Sequence, residues 1–283
     1  MPLVSLSENG MLFWSAPEEQ ETLDLLGPLC ADSIRLIEES WDLSLPRHIR
    51  VYVMTHWSHL TFHAASWPLR VLYALTLPLW YRNVRKMWVY VAGLTMRYRG
   101  GPAVGIKPIR LWETREDSLG RRIFYPLGTD TLRLHNIVCH ELTHAYTAHL
   151  RLPLWLNEGM AMITVDRFLE RDTVRHSTLQ HLRANPYTNQ PADYAMLAQM
   201  PEDYIVYAYV HGYWVTRYLF EAYPDLLPRL LAKRRSPKAI DVELARSLGT
   251  SPKTVWKEMN MRVLTYFADL EENKDASREP MIA

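Results

Sequence analysis

The chain has 283 residues, of which 48% are hydrophobic and 22% charged, and its formal net charge at pH 7 is +1. This length provides material for the core of one large domain or two small ones. A nearly neutral chain without Lys/Arg tracts interleaved with stacking aromatics is not typical of nucleic-acid-binding proteins. The two cysteines, Cys30 and Cys139, provide no disulfide framework and are expected to be buried thiols.

The N-terminal segment predicts a helical extension over residues 1–47. Residues 1–14 lack the basic region, apolar run and small-residue cleavage site of a targeting peptide, so a cytoplasmic location is expected. A helix is predicted over residues 16–41, because Pro17 suits a first helical turn and the apolar residues that follow recur at helical spacing.

Three short segments after this helix have the pattern of β-strands. Apolar and polar residues alternate in residues 48–54, and residues 103–112 and 121–125 are further strand candidates. Pro108 favours an edge position for the second segment, because proline removes one hydrogen-bond donor from a sheet. Nearly everything from Thr131 onward has a helical pattern. The sequence therefore predicts an α+β fold, with a small N-terminal sheet followed by a mainly helical C-terminal half.

Residues 67–99 form a hydrophobic insertion between two strand candidates. Its longest uncharged run, residues 71–81, has 11 residues and includes Pro78, whereas a helix needs roughly 20 apolar residues to cross a bilayer. No membrane span is predicted. Three interpretations remain: a helical hairpin packed on the core, a hydrophobic lid or partner surface bordering the active site, or a peripheral membrane element flanked by basic residues.

An H-E-x-x-H motif, His140-Glu141-Leu142-Thr143-His144, lies in the helical half. Residues four apart share one face of a helix, so both imidazoles can reach one metal ion. Zinc lowers the pKa of a bound water toward about 7, and a neighbouring carboxylate can then take its proton. The motif predicts a hydrolytic Zn²⁺ site with His140 and His144 as ligands and Glu141 as the general base.

A third protein ligand is predicted in the next helix, because catalytic zinc usually has three protein ligands and an open position for water. Pro153 suits the first turn of that helix, and Glu158 follows within the segment L-W-L-N-E-G-M-A. Glu158 can supply a carboxylate oxygen if the second helix folds back across the first. Gly159 permits a close approach between helices.

These motifs resemble those of the gluzincins, the zinc peptidases with H-E-x-x-H and a downstream glutamate, and most closely the peptidase MA-like branch. His140, Glu141 and His144 match the first motif. Glu158 matches the third-ligand glutamate within W-L-x-E-G-x-A, which the M1 aminopeptidases share, although the spacing between the motifs is shorter here. The resemblance implies a zincin-like fold with a small mixed sheet, a bound Zn²⁺ and a peptide or protein substrate.

A Y-x-x-G segment that begins at Tyr209 resembles the one that opens a late helix in these families. The resemblance implies that Tyr209 helps to stabilise the transition state. Physically, a phenol can donate a hydrogen bond to the oxyanion that develops on the attacked carbonyl. Tyr207 and His211 could do the same from neighbouring positions.

The C-terminal segment predicts two helices, Pro237–Leu248 and residues 252–270, each beginning with Ser-Pro. Residues 271–283 are charged and then irregular, and they are expected to fray. The chain is thus expected to contain a helical extension at 1–47, a peptidase domain at 48–235 with the insertion at 67–99, and a helical pair with its tail at 236–283.

The sequence predicts a zinc-dependent peptidase, and two alternatives stay open. The same site could hydrolyse another amide or an ester, or the chain could be a non-catalytic zinc-binding module that docks a partner through residues 67–99. In the peptidase interpretation, residues 103–112 are the sheet edge that holds an extended substrate, or they form an ordinary edge strand. Neither the natural substrate nor the oligomeric state is predicted.

Two further pairs of candidate ligands are interpreted as structural or solvent-exposed groups: His59 with His63, and Asp166 with Glu170.

Overall fold

The structure, a computed structural model, describes residues 4–8, 10–89, 91–112, 114–126, 128–184 and 201–276. The fold is α+β, and a small sheet precedes a mainly helical C-terminal half, as predicted. The chain forms two compact units. The first consists of residues 1–151 and 160–175, and the second of residues 152–159 and 176–283.

Five strands form one mixed sheet in the first unit. Their bounds are Val4–Glu8 for β1, Met11–Ser15 for β2, Ile49–Val53 for β3, Gly93–Tyr98 for β4 and Gly101–Ile106 for β5. The order is β1-β2-β3-β5-β4. β3 runs parallel to both β2 and β5, whereas β1 and β4 are antiparallel to their neighbours. The strand predicted at residues 48–54 is confirmed as β3.

The first two strands add to the predicted sheet. Gly10 lies between them with a φ of 76°, a left-handed conformation that glycine adopts without steric cost. The dipeptide Asn9-Gly10 in the sequence is a strong signal for a two-residue hairpin connection. Met11 and Phe13 of β2 are fully buried. Residues 4–15 therefore extend the sheet within the segment that was predicted as a helical extension.

β5 corrects the predicted edge strand at residues 103–112. It pairs on both sides: Ala103 lies opposite Arg50 of β3 and opposite Met96 of β4. The predicted edge position is therefore wrong, and β4 is the outer strand at this end of the described sheet. Pro108, which suggested an edge, lies beyond the last residue of β5, where a missing donor costs no sheet hydrogen bond.

The strand predicted at residues 121–125 is also wrong. Helix α3 spans Thr114–Ile123, and Phe124 forms an isolated bridge after it. Leu119 and Ile123 are four residues apart, which places both on one face of a helix. Ile123 is buried. This local helical spacing outweighs the short alternation that suggested a strand.

Helix α1 spans Gln20–Trp41 and packs against α4, Asp130–Thr147, the helix that contains the H-E-x-x-H motif. The helix predicted at residues 16–41 is confirmed, with a short 3-10 turn before it. The hydroxyl of Tyr146 on α4 donates to Glu38 on α1 at 3.1 Å. This packing fixes the motif helix within the first unit.

The insertion at residues 67–99 contains one long helix, α2 (Trp67–Trp88), followed by the outer strand β4. The helical-hairpin interpretation is therefore wrong, because Pro78 lies inside α2 without ending it. Leu69 and Tyr73 pack one face of α2 on buried core residues. Among the helices that the structure describes, none combines the length and the apolar content needed to cross a membrane.

Helix α5, Leu154–Leu169, begins in the second unit and ends in the first. In its described residues, the second unit contains helices and no β-strand. A Cβ added at Gly159 would overlap Thr216 and the carbonyl oxygen of Gly212, so the predicted close helix approach at Gly159 is confirmed. The remaining helices are α6 (Leu179–Arg183), α7 (Glu202–Ala222), α8 (Leu226–Leu231), α9 (Pro237–Leu248) and α10 (Val255–Ala276).

The two predicted C-terminal helices are confirmed as α9 and α10. α9 has the predicted bounds because its ends are encoded locally: Ser236 Oγ accepts a hydrogen bond from the Ala239 amide, and Gly249 ends the helix with a φ of 65°. α10 begins at Val255 rather than at residue 252, and it extends to Ala276. The fraying expected for residues 271–283 thus does not begin before Ala276, and residues 277–283 lie outside the described part.

Candidate metal centre

Helix α4 places the two predicted histidine ligands one turn apart. It begins after Thr129, whose side chain accepts a hydrogen bond from the Leu132 amide at 3.3 Å. The Nε2 atoms of His140 and His144 lie 3.0 Å apart, and the two rings are nearly perpendicular at 88°. Two nitrogens on one tetrahedral zinc ion would lie about 3.3 Å apart, given bonds of about 2.0–2.1 Å. The two imidazoles are therefore spaced to share one ion.

Glu158 joins the two histidines from helix α5. The candidate ligand atoms of the three residues all lie within 4.8 Å of one another. In the part of the chain that the structure describes, no other group of His, Cys, Asp and Glu is arranged to hold a metal. The Glu158 side chain is only 2% exposed. A divalent cation shared with the imidazoles would stabilise this buried carboxylate.

The donor set fits a catalytic zinc ion. Two imidazole nitrogens and one carboxylate oxygen are typical of such sites, and water or substrate takes the fourth position. The same donors also bind other divalent transition metals, so they define the type of site rather than the identity of the metal. An imidazole binds metal only when it is deprotonated, so metal affinity is expected to fall as the solution is acidified.

The glutamate that follows His140 is held against strand β4. Thr95 Oγ1 lies 2.7 Å from Oε2 of Glu141 and 2.9 Å from the main-chain oxygen of Glu141, so this hydroxyl can donate to either atom. The Glu141 side chain is buried, with 7% exposure, and it is not a member of the three-ligand cluster. A carboxylate beside the ligands but outside their cluster can accept a proton.

Gly93 provides the space for this carboxylate. A Cβ at Gly93 would lie 2.5 Å from Cγ and 2.9 Å from Oε1 of Glu141. Gly93 and Thr95 are two residues apart in a strand and therefore face the same side. One part of the segment 67–99, strand β4, therefore lies against Glu141, and the predicted lid over an active site stays a prediction. The two residues themselves were missed, because local patterns carry no sign of a contact with residue 141.

We expect Gly93→Ala to lower turnover without lowering zinc content. The added methyl group would displace the Glu141 carboxylate or β4, and a shift of about 1 Å away from a productive geometry can reduce the rate on the order of 10²-fold. The measurements are kcat for hydrolysis and zinc per chain. Gly120→Ala is the matched control, because no atom lies within 4 Å of an added Cβ there. Unchanged turnover in Gly93→Ala would show that the position of Glu141 is not limiting.

Helix α7 contains the three candidates for the oxyanion donor. Tyr209 is half-buried and packs on a small apolar cluster in the second unit. Tyr207 and His211 are buried, and burial raises the pKa of Tyr207 to about 12 and lowers the pKa of His211 to about 4. A substrate can reach a half-buried side chain more easily than a buried one. This difference favours Tyr209 among the three, and its role as the oxyanion donor stays a prediction.

Cys139 precedes the first histidine but does not behave as a nucleophile. The residue is fully buried, and burial raises the pKa of its thiol to about 12. Because the thiolate is the reactive form, Cys139 is unreactive at neutral pH. Cys30 is buried as well. Both cysteines are therefore apolar packing residues, as predicted.

The other candidate ligands contact protein groups or solvent and do not form a second metal site in the described residues. Asp166 accepts hydrogen bonds from the amide of Thr173, at 2.7 Å, and from the Thr173 hydroxyl. His59 and His63 lie in a short π-helical turn with ring centroids 5.7 Å apart, and burial lowers the pKa of both. None of these residues belongs to a metal cluster in the described residues, and Glu170 is solvent-exposed.

A scan of the chain against protein-family models finds no match, and a search among curated proteins finds no similar sequence. The functional interpretation therefore depends on the residues of the site and on their geometry. An H-E-x-x-H motif and a downstream glutamate are short signals. Here they are supported as signs of a metal site, because His140, His144 and Glu158 come together in the structure.

Proposed function

We propose that the chain is a zinc-dependent peptidase of the gluzincin type with a zincin-like fold. The observation that carries this proposal is the cluster of His140, His144 and Glu158 with Glu141 beside it. Hydrolysis requires a base next to the ligands, whereas holding a metal does not, so Glu141 favours an enzyme over a structural zinc site. A small mixed sheet followed by a mainly helical C-terminal half supports the same class.

In this proposal His140, His144 and Glu158 hold the metal. Bound zinc would polarise the substrate carbonyl and lower the pKa of a water toward about 7. Glu141 takes the proton from this water as the water oxygen forms a bond to the carbonyl carbon. Glu141 then gives the proton to the amide nitrogen as the C–N bond breaks, which releases an amine and a carboxylic acid. Thr95 holds the Glu141 carboxylate in position for both transfers.

Strand β4 takes the substrate-binding role that was predicted for residues 103–112. Among the described strands it pairs with β5 alone, so its outer edge faces away from the sheet. Gly93 and Thr95 place the same strand against Glu141. An extended peptide that added to this edge would use main-chain hydrogen bonds and tolerate many side chains. We therefore expect extended peptides to be the substrates.

The proposal is tested by incubating the zinc-loaded protein with a peptide library made from cellular proteins and identifying new termini by mass spectrometry. We expect cleavage that stops after chelation and returns when zinc is restored. A parallel panel of esters and non-peptide amides separates the alternatives. Hydrolysis of that panel without peptide cleavage would replace the peptidase proposal. Zinc binding without hydrolysis of either set would favour a non-catalytic binding module.

We expect Tyr209→Phe to reduce kcat by about 10²-fold or more while zinc content and KM change little. The substitution removes one hydroxyl, and a preorganised donor to an oxyanion acts mainly in the transition state. Steady-state kinetics on a cleaved library peptide measure the effect. Tyr266→Phe is the control, because that hydroxyl donates to Glu221 at 3.3 Å in an exposed setting. Normal turnover in Tyr209→Phe would transfer the role to Tyr207 or His211.

A further inference from the structure

Helix α2 has an exposed apolar face. Six of the twelve large hydrophobic side chains that are exposed in the described residues lie on this one helix. Single exposed apolar residues are normal on a protein surface, but a contiguous group marks an interaction site. Three of the six are at least 75% exposed: Trp67, Leu75 and Leu79. We call the whole group the α2 outer face, and it consists of Trp67, Val71, Leu72, Leu75, Leu79 and Tyr81.

The opposite side of α2 is attached to the core of the first unit. Leu69 and Tyr73 pack on a cluster of buried residues. Trp80 contacts Trp57 edge-on, with ring centroids 5.7 Å apart. Because these contacts hold the helix from one side, the α2 outer face cannot turn inward without breaking them. Its exposure is therefore a property of the folded unit.

The sequence around α2 carries charge of one sign. Residues 43–112 contain ten Lys or Arg residues and no Asp or Glu, although the net charge of the whole chain is only +1. Arg82 and Arg85 are exposed near the end of α2, and Arg97 and Arg99 are exposed at the end of β4. Of these ten basic residues, Lys107 is buried and Arg110 pairs with Glu19, whereas Arg82 and Arg85 are exposed on α2 itself. A partner that offers both apolar contact and negative charge would match these two features of α2.

We propose that the α2 outer face binds to the surface of an anionic lipid bilayer, with the helix lying in the plane of the membrane. α2 has 22 residues and is therefore about 33 Å long, and none of the described helices is suited to span. Leucines on one face with arginines beside them are typical of interfacial helices. Trp67, in the first turn and 75% exposed, is one of the aromatic residues enriched at membrane–water interfaces.

A bilayer matches this surface better than a protein does. The α2 outer face is the exposed, convex side of a helix whose other side packs on the core, so a protein partner would have to supply an apolar groove lined by acidic residues. An anionic membrane presents negative headgroups and an apolar interior to any convex surface, and both attractions add. The proposal does not depend on the peptidase activity, because it concerns α2 and not the metal ligands.

Vesicle cosedimentation tests this proposal. The folded, zinc-loaded protein is mixed with vesicles of phosphatidylcholine alone, or of phosphatidylcholine with phosphatidylglycerol. We expect binding to the anionic vesicles that is at least about tenfold stronger than to the neutral ones and that weakens as salt is added. Leu72→Gln, Leu75→Gln and Leu79→Gln together should reduce binding to anionic vesicles by about tenfold or more. These residues are exposed, so the variant should keep its melting temperature and zinc content.

Two matched controls separate the α2 outer face from general effects of composition. A triple variant at exposed apolar residues of other helices, Leu25→Gln, Val242→Gln and Met261→Gln, should bind vesicles like the wild type. Arg82→Gln with Arg85→Gln should weaken binding to anionic vesicles severalfold. Lys253→Gln with Lys257→Gln removes two exposed charges elsewhere and should not.

Several outcomes would overturn the proposal. One is a wild-type protein that binds neither kind of vesicle. Another is equal vesicle binding by the wild type and by the leucine triple variant. A third is self-association that depends on protein concentration and is lost in the triple variant, without vesicle binding, because it would identify a second copy of the chain as the occupant of this face.

Discussion

Glu141→Gln is expected to keep about one zinc ion per chain and to lose hydrolysis. The substitution preserves the size of the side chain and its ability to accept a hydrogen bond from Thr95, which lies 2.7 Å from Oε2 in the wild type. It removes the group that accepts and returns a proton. General bases contribute about 10²- to 10⁴-fold to rates, and we expect a loss of kcat within or above this range with little change in KM.

The measurement is kcat on a cleaved library peptide together with zinc per chain, both determined on the same preparation. Glu39→Gln is the matched control, because it makes the same chemical change at an exposed position of α1. Activity close to wild type in Glu141→Gln would remove Glu141 from the mechanism. Loss of zinc in Glu141→Gln would instead show that Glu141 is a ligand, contrary to the cluster seen in the structure.

Glu158→Gln is expected to lose tightly bound zinc, and hydrolysis with it. The change replaces an anionic ligand with a neutral amide that binds zinc weakly. Loss of an outer hydrogen-bond partner of a ligand already costs about 10- to 100-fold in metal affinity, so loss of a ligand charge should cost more than about 100-fold. His144→Ala should give the same result, because two remaining ligands do not form a tight site. Competition with a zinc chelator measures the affinity.

Glu170→Gln is the control for this second prediction. It lies 12 positions further along the chain, is solvent-exposed, and is outside the metal cluster. It should therefore bind zinc like the wild type. If Glu158→Gln bound zinc at full stoichiometry and with wild-type affinity, another acid would have to complete the site.

The site residues could be predicted because their signals are short and local. His140 and His144 share a helical face by their spacing alone, and the predicted bounds of α9 were correct because Ser236 and Gly249 terminate the helix through contacts with their own neighbours. The fold-back that brings Glu158 to the histidines is not local. It was predicted from the number of ligands that catalytic zinc needs and from the segment that resembles the gluzincin motif.

Two of the errors concern contacts that no local pattern encodes, and one concerns two local patterns that compete. Strand β5 was placed at the edge because of Pro108, but the position of a strand in a sheet depends on which segments pair with it, and β4 lay unrecognised within the insertion. Gly93 and Thr95 were missed for the same reason, since their role exists only once β4 packs on α4. The alternation that suggested a strand at residues 121–125 was too short to compete with helical spacing in α3.

We expect His140, His144 and Glu158 to bind one metal ion together. Diffraction data from crystals of the zinc-loaded protein, collected above and below the zinc absorption edge, test it most directly. We expect one anomalous peak, present only above the edge, at about 2.0–2.1 Å from both Nε2 atoms and about 2.0–2.2 Å from a carboxylate oxygen of Glu158. A zinc peak at other residues, or a peak at the two histidines with Glu158 turned away from it, would contradict the claim.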